Sequence, residues 1–105
     1  KLEYFQVYSN GLKYLPEGLG QLANLKQLLI QDNLLDTLSF DFSKLTSLSE
    51  FWVEDNNLTS LPSTLCRLII TDKSLPEAAF QYYGNKICDS EKACTLSVYA
   101  QDCGN

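Results

Sequence analysis

A repeat of 23 residues dominates the first two thirds of this chain of 105 residues. The segments that begin at Leu2, Leu25 and Leu48 carry apolar residues at seven matching positions and asparagine at an eighth. The asparagine column consists of Asn10, Asn33 and Asn56. Repeats of this length indicate stacked copies of one supersecondary unit, because a single copy cannot bury its own apolar face.

The first residues of each repeat predict a short strand. Apolar residues at Leu2, Phe5 and Val7 fit the alternation of a strand with one buried face. Stacked strands of this kind would form a parallel sheet, and the rest of each repeat would supply the crossover. We expect the asparagines to be structural, because an amide can bond backbone groups that lose their sheet partners where the chain leaves the strand.

The pattern L-x-x-L-x-L-x-x-N-x-L-x-x-L-P-x-x-L-x-x-L over residues 1–68 resembles the leucine-rich repeat family. Pro16 and Pro62 match the family's Leu-Pro step, whereas Ser39 replaces the proline in the middle repeat. The resemblance implies an α/β solenoid, with a short-stranded parallel sheet on the concave face. It implies irregular or 3-10 segments on the convex face.

A degenerate fourth repeat is predicted over residues 77–87. An insertion delays it by six residues. Asn85 would take the asparagine column, and Phe80 and Tyr82 would point inward. The run from Gly84 to Cys88 resembles the Asn-x-x-Cys entry to the cysteine caps of extracellular leucine-rich repeat domains. An end of such a stack exposes apolar core and needs covering. The predicted organisation is therefore three repeats and the insertion over 1–76, then a fourth strand and a disulfide-stapled cap over 77–105.

All four cysteines lie in the last forty residues: Cys66, Cys88, Cys94 and Cys103. An even, clustered number predicts two disulfides and an oxidising compartment, hence an extracellular or cell-surface location. The close pairs of a zinc site are missing. Three pairings are possible, and sequence order favours Cys66–Cys88 with Cys94–Cys103.

Composition argues against several classes of function. The formal net charge is -5, whereas nucleic acids and anionic membranes attract basic surfaces. The sequence has no run of 18 apolar residues that would predict a membrane span. It also lacks histidine, the commonest general base and metal ligand. Carboxylates on an open strand face gain little desolvation, so we expect no enzyme activity, no metal and no cofactor.

The positions that alternate with the buried strand residues would face outward and form the candidate binding surface. Five of them are acidic and one is Lys26, a balance that would suit a basic partner and equally fits a solvated face. Leu29 and Trp52 share a column and would form an exposed apolar anchor. The predicted partner-binding residues are Tyr4, Gln6, Tyr8, Leu29, Gln31, Asp32, Glu50, Trp52, Glu54 and Asp55.

Two functions compete on this surface. The first is an extracellular recognition module that binds a protein, peptide or glycan partner of basic character. The second is a building block of an extracellular fibre or cell wall, stacked end to end through the first repeat, which has no cysteine cap. Repeats preceding Lys1 would also cover that end, and they are the favoured explanation of it. Asn57-Leu58-Thr59 is an N-glycosylation sequon, and it predicts a glycan on Asn57.

Overall fold

A computed structural model of the protein describes residues 2–89 together with Cys94, Leu96, Gln101 and Cys103. Its centre is a sheet of four parallel strands in the order β1-β2-β3-β4. The strands are β1 (Tyr4–Gln6), β2 (Gln27–Leu29), β3 (Glu50–Trp52) and β4 (Phe80–Gln81). Chain order and spatial order coincide, so each crossover connects neighbouring strands. The prediction of short parallel strands is confirmed.

The register of the sheet follows the sequence repeat. Phe5 pairs with Leu28, and Leu28 pairs with Phe51, so successive strands are offset by the 23-residue period. Phe51 pairs with Phe80, six residues later than the period would give. The predicted delay of the fourth strand is therefore confirmed, although residues Glu77–Ala79 form a 3-10 turn rather than the start of the strand.

The asparagine column forms a ladder of hydrogen bonds between neighbouring repeats. The Asn56 Nδ2 group donates to the carbonyls of Ile30, Val53 and Glu54 at 3.1 to 3.2 Å, and its Oδ1 atom accepts from the Leu35 N–H at 3.0 Å. The side chains of Asn33 and Asn85 make the equivalent bonds, each to backbone groups of its own segment and of the preceding one. Asn33, Asn56 and Asn85 are buried, so the structural role is confirmed for them, whereas Asn10 in the first repeat is exposed.

The residue before each ladder asparagine turns the chain out of its strand. Ser9, Asp32, Asp55 and Gly84 occupy this place with φ of 59°, 59°, 56° and 74°. An ideal Cβ built on Gly84 would lie 2.1 Å from the Asp55 carboxylate, so glycine here leaves room for the neighbouring side chain.

Proline precedes each helical turn in the crossovers. Pro16 stands before a 3-10 turn over Glu17–Gln21, and Pro62 stands before helix α1 (Ser63–Cys66), which continues as a π turn over Arg67–Thr71. Pro76 stands before the turn at Glu77–Ala79. The fixed φ of proline prepares the chain for such a turn. The middle crossover has Ser39 in that place and contains bends and isolated turns but no helical segment.

The core is continuous from the second repeat to the last strand. All fourteen apolar repeat positions of the second and third segments are buried, whereas only Leu19 is buried among those of the first. The aromatic rings of Phe42, Phe51, Phe80 and Tyr82 follow one another at centroid distances of 5.5, 5.4 and 4.8 Å. Burial therefore depends on having a neighbouring repeat on each side.

The described part of the C-terminal segment continues this order beyond β4. The Gln101 Nε2 group donates to the Tyr82 carbonyl at 2.9 Å, and its Oε1 atom accepts from the Ile87 N–H at 3.3 Å. These bonds correspond to the two that Asn85 makes with the preceding repeat, at the Val53 carbonyl and the Leu58 N–H. Gln101 thus acts as a further rung of the ladder.

The structure contains two disulfides, Cys66–Cys94 and Cys88–Cys103. The prediction of two bonds is confirmed, but the pairing expected from sequence order is wrong. Cys66 lies at the end of α1 and joins across to buried Cys94, so it fastens the last crossover to the C-terminal segment. Pairing follows proximity in the folded stack rather than order along the chain.

Candidate functional site

The candidate site is the sheet face that points away from the core, which we call the outward face. It carries the alternate positions of the strands and their carboxyl-end extensions. Its residues are Tyr4, Gln6 and Tyr8; Gln27, Leu29 and Gln31; Glu50, Trp52 and Glu54; and Gln81 and Tyr83. Every one of these side chains except Leu29 carries a polar atom, so the face is predominantly a hydrogen-bonding surface.

A chain of side-chain hydrogen bonds crosses the first three strands. The Gln6 Nε2 group donates to Gln27 Oε1 at 3.2 Å, and the Gln27 Nε2 group donates to Glu50 Oε1 at 2.8 Å. Gln27 and Glu50 are paired in the register, about 4.8 Å apart, so their side chains meet directly, whereas Gln6 reaches Gln27 diagonally across the β1–β2 pair. This chain holds the Glu50 carboxylate in place on the face.

Most of the acidic charge lies toward the third strand. The Lys26 ammonium is 3.3 Å from the Glu3 carboxylate, so that pair is neutralised at the edge of the face. Asp32 accepts a hydrogen bond from the Ser9 hydroxyl at 2.8 Å. The remaining carboxylates are Glu50 on β3 and, just beyond the carboxyl end of that strand, Glu54 and Asp55.

Glu54 is half-buried, and its surroundings disfavour the charged form. Burial, and after it the negative charge of Asp55, raises the pKa of Glu54 above its ordinary value. Continuing the register places Glu54 between Gln31 and Tyr83. A cation brought to this point would stabilise the carboxylate.

Gln31 provides a second unsatisfied group in the same row. Within the described part of the chain, its side-chain oxygen is buried and has no hydrogen-bond partner. A buried polar atom without a partner costs about 1–3 kcal/mol, and a donor from a bound molecule would recover part of that.

The predicted apolar anchor is only partly present. Leu29 lies between Gln6 and Trp52 in the register and is 8% exposed, so the expectation of an exposed leucine is wrong. Neighbours on both strands cover it, because a leucine side chain is shorter than its flanking residues. Trp52 itself remains half-exposed, which leaves an accessible indole beside Glu50 and Glu54.

The other predicted site residues lie where the alternation places them. Tyr4 and Tyr8 are exposed on the first strand and its extension, and Asp32 and Asp55 are exposed at the carboxyl ends of theirs. Exposed Tyr83 was missed among the binding residues; its position next to Asn85's turn is the signal that could have found it. The face is open, so it suits recognition of a surface or an extended segment rather than enclosure of a small molecule.

The described residues contain no cluster of three or more histidine, cysteine or carboxylate groups able to hold a metal ion. They also contain no helix with the length and apolar character needed to cross a bilayer.

Comparison with known proteins leaves the chain without an assigned relative. No family model matches it, and neither a curated protein nor a solved structure is significantly similar to it.

Proposed function

We propose that this chain is a leucine-rich repeat module of the extracellular space, a solenoid whose outward face is concave and binds a protein, peptide or glycan partner of basic character. The offset of 23 residues between strands and the asparagine ladder support the solenoid. The two disulfides support an oxidising compartment. A non-enzymatic role fits the open face.

The observation that carries the proposal is the pair of unsatisfied groups beside Trp52. Within the described residues, Glu54 is partly desolvated and forms no ion pair, and the Gln31 oxygen is buried without a donor. A lysine or arginine side chain supplies both a positive charge and N–H donors, and it is attracted to the indole face. A basic segment laid across the strands would meet the Glu54 carboxylate directly, and it would meet the Gln31 oxygen once that buried side chain turned outward.

Titration of Trp52 fluorescence with a decapeptide of alternating arginine and glycine tests the proposal. We expect saturable binding, with an affinity that falls as the salt concentration is raised from about 0.05 to about 0.5 M, because salt screens exposed charges. The matching peptide of glutamate and glycine should not bind. An uncharged glycan partner would instead bind without this salt dependence.

A matched pair of variants locates the binding surface. Glu50→Gln with Glu54→Gln removes two charges from the outward face, and Glu17→Gln with Asp72→Asn removes two charges elsewhere. We expect about a tenfold loss of affinity for the first pair and less than about twofold for the second. Equal losses, or none, would contradict the assignment of the site.

The second candidate is a building block that stacks end to end. Leu2 is exposed, and Phe5 and Val7 are half-buried, so the β1 end of the sheet offers apolar surface for a contact. Gln101 already occupies the ladder position at the β4 end, which makes the β1 end the more available of the two. Sedimentation at high concentration tests this candidate, and a stable monomer would contradict it.

A further inference from the structure

A groove separate from the outward face lies where the chain leaves the strands. It has a volume of about 440 Å³ and is lined by Lys13, Tyr14, Leu34, Asp36 and Asn57. Leu34 and Asn57 hold the same place in successive repeats, each directly after a ladder asparagine. The groove therefore runs across the first three repeats.

The lining of this groove combines exposed apolar side chains with charged ones. Tyr14 is 80% exposed and Leu34 is 47% exposed, which are high values for large apolar side chains in a chain of this size. Lys13 and Asp36 place an ammonium and a carboxylate on the lining. An occupant with one apolar face and polar edges would match this surface.

Asn57 differs from its neighbour Asn56 in what its side chain does. Asn56 is buried and its amide is fully bonded within the ladder. The Asn57 N–H donates to the Leu35 carbonyl at 2.7 Å, but its side-chain amide makes no hydrogen bond within the described residues. Leu58 is buried and Thr59 is exposed, so the sequon presents Asn57 toward the groove.

We propose that Asn57 carries an N-linked glycan whose first N-acetylglucosamine lies in this groove, with the apolar face of the sugar on Leu34 and Tyr14. In the transfer, the Asn57 Nδ2 atom bonds to the anomeric carbon of a lipid-linked oligosaccharide. The bond from that carbon to the lipid diphosphate breaks, the electron pair leaves on the diphosphate, and Nδ2 loses one proton. The ring C–H groups then face the tyrosine ring, and the hydroxyls face Lys13 and Asp36.

The inference rests on the extracellular location in the proposed function, yet it concerns a different surface. The glycan would cover apolar side chains that are otherwise exposed to water, and so it would stabilise the fold. Binding of the basic peptide at Trp52 should be the same with and without the glycan. Failure of one proposal is therefore distinguishable from failure of the other.

Secretion of the full chain from a eukaryotic host tests the modification. After trimming with an endoglycosidase that leaves one sugar, the intact mass should exceed the polypeptide mass by one N-acetylhexosamine. Thr59→Ala removes the sequon without touching the groove, and it should abolish the added mass. Secreted protein with unmodified Asn57 would overturn the proposal.

Thermal unfolding tests whether the sugar lies in the groove. The unfolding midpoint of the trimmed protein should be about 3 °C higher than that of Thr59→Ala. Introducing Tyr14→Ser with Leu34→Ser into both forms should remove most of that difference, whereas Tyr4→Ser with Tyr8→Ser on the outward face should leave it unchanged. A glycosylated protein whose difference is unaffected by Tyr14→Ser with Leu34→Ser would overturn the docking of the sugar.

Discussion

The two ends of the sheet carry the same pattern of residues but differ in how well those residues are covered. At the β4 end, Phe80 is buried, and Leu96 of the C-terminal segment is buried as well. At the β1 end, Leu2 is exposed and Phe5 is only half-buried. The asparagine side chains differ in the same way: the Asn10 amide donates to the Tyr8 carbonyl of its own segment, whereas the amides of Asn33, Asn56 and Asn85 also donate to carbonyls of the preceding segment.

This difference separates two kinds of information in a repeat sequence. The alternation of residues fixes which face a side chain points to, and it does so equally at Phe5 and Phe80. The degree of burial depends on whether a neighbouring segment lies against that face, which the residue's own repeat does not contain. Substitutions at matched positions should therefore have unequal effects at the two ends.

The largest difference is expected for the paired phenylalanines. Phe80→Ala should reduce the free energy of unfolding by about 3–5 kcal/mol, because it leaves a cavity between the rings of Phe51 and Tyr82. Phe5→Ala should cost about 1 kcal/mol, since its half-buried site can collapse or fill with water. Urea unfolding of the disulfide-intact proteins measures both, and equal costs would contradict the comparison.

The strands could be predicted well from the sequence because the same pattern of strand residues occurs in three successive segments. Period, asparagine column and apolar alternation agreed, and together they also located Phe80 and Asn85 in the delayed fourth strand. The pairing of Cys66 with Cys94 could not be obtained in this way. It depends on how the insertion after α1 folds back, and no second copy of that insertion exists to compare.

A smaller difference is expected at the ends of the hydrogen-bond ladder. Gln101→Ala should cost about 1–2 kcal/mol, because the Tyr82 carbonyl and the Ile87 N–H lose a partner away from water. Asn10→Ala should change the free energy of unfolding by less than about 0.5 kcal/mol, because Asn10 is exposed. Chemical denaturation compares the two, and a larger loss for Asn10→Ala would mean that the β1 end is the more tightly held.

The candidate site was predicted in outline, but its energetics were not. Alternation identified the outward residues, yet it could not show that Leu29 is covered by its neighbours or that the Gln31 oxygen lacks a donor. Those properties depend on side-chain lengths and rotamers in adjacent strands. The groove at Tyr14 and Leu34 was missed for a similar reason, because its lining comes from three different repeats.

The smallest effect is expected on the outward face, where the two ends differ in how far a polar side chain is exposed to solvent. Tyr8 at the β1 side is exposed, whereas Glu54 inside the sheet is half-buried, and burial raises the pKa of Glu54. A raised pKa means that the folded state disfavours the carboxylate, so the contribution of Glu54 to stability is largest below its unfolded pKa and is lost as pH rises through the folded pKa. Glu54→Gln should therefore stabilise the protein by a few tenths of a kcal/mol at neutral pH, after solvent screening, and by nothing in acid.

Thermal unfolding of the unsubstituted protein and of Glu54→Gln, from neutral to acidic pH, measures the difference in stability, with Glu17→Gln on an exposed turn as the control. A gain for Glu54→Gln that persists in acid would show that the cause is packing rather than desolvation of the charge.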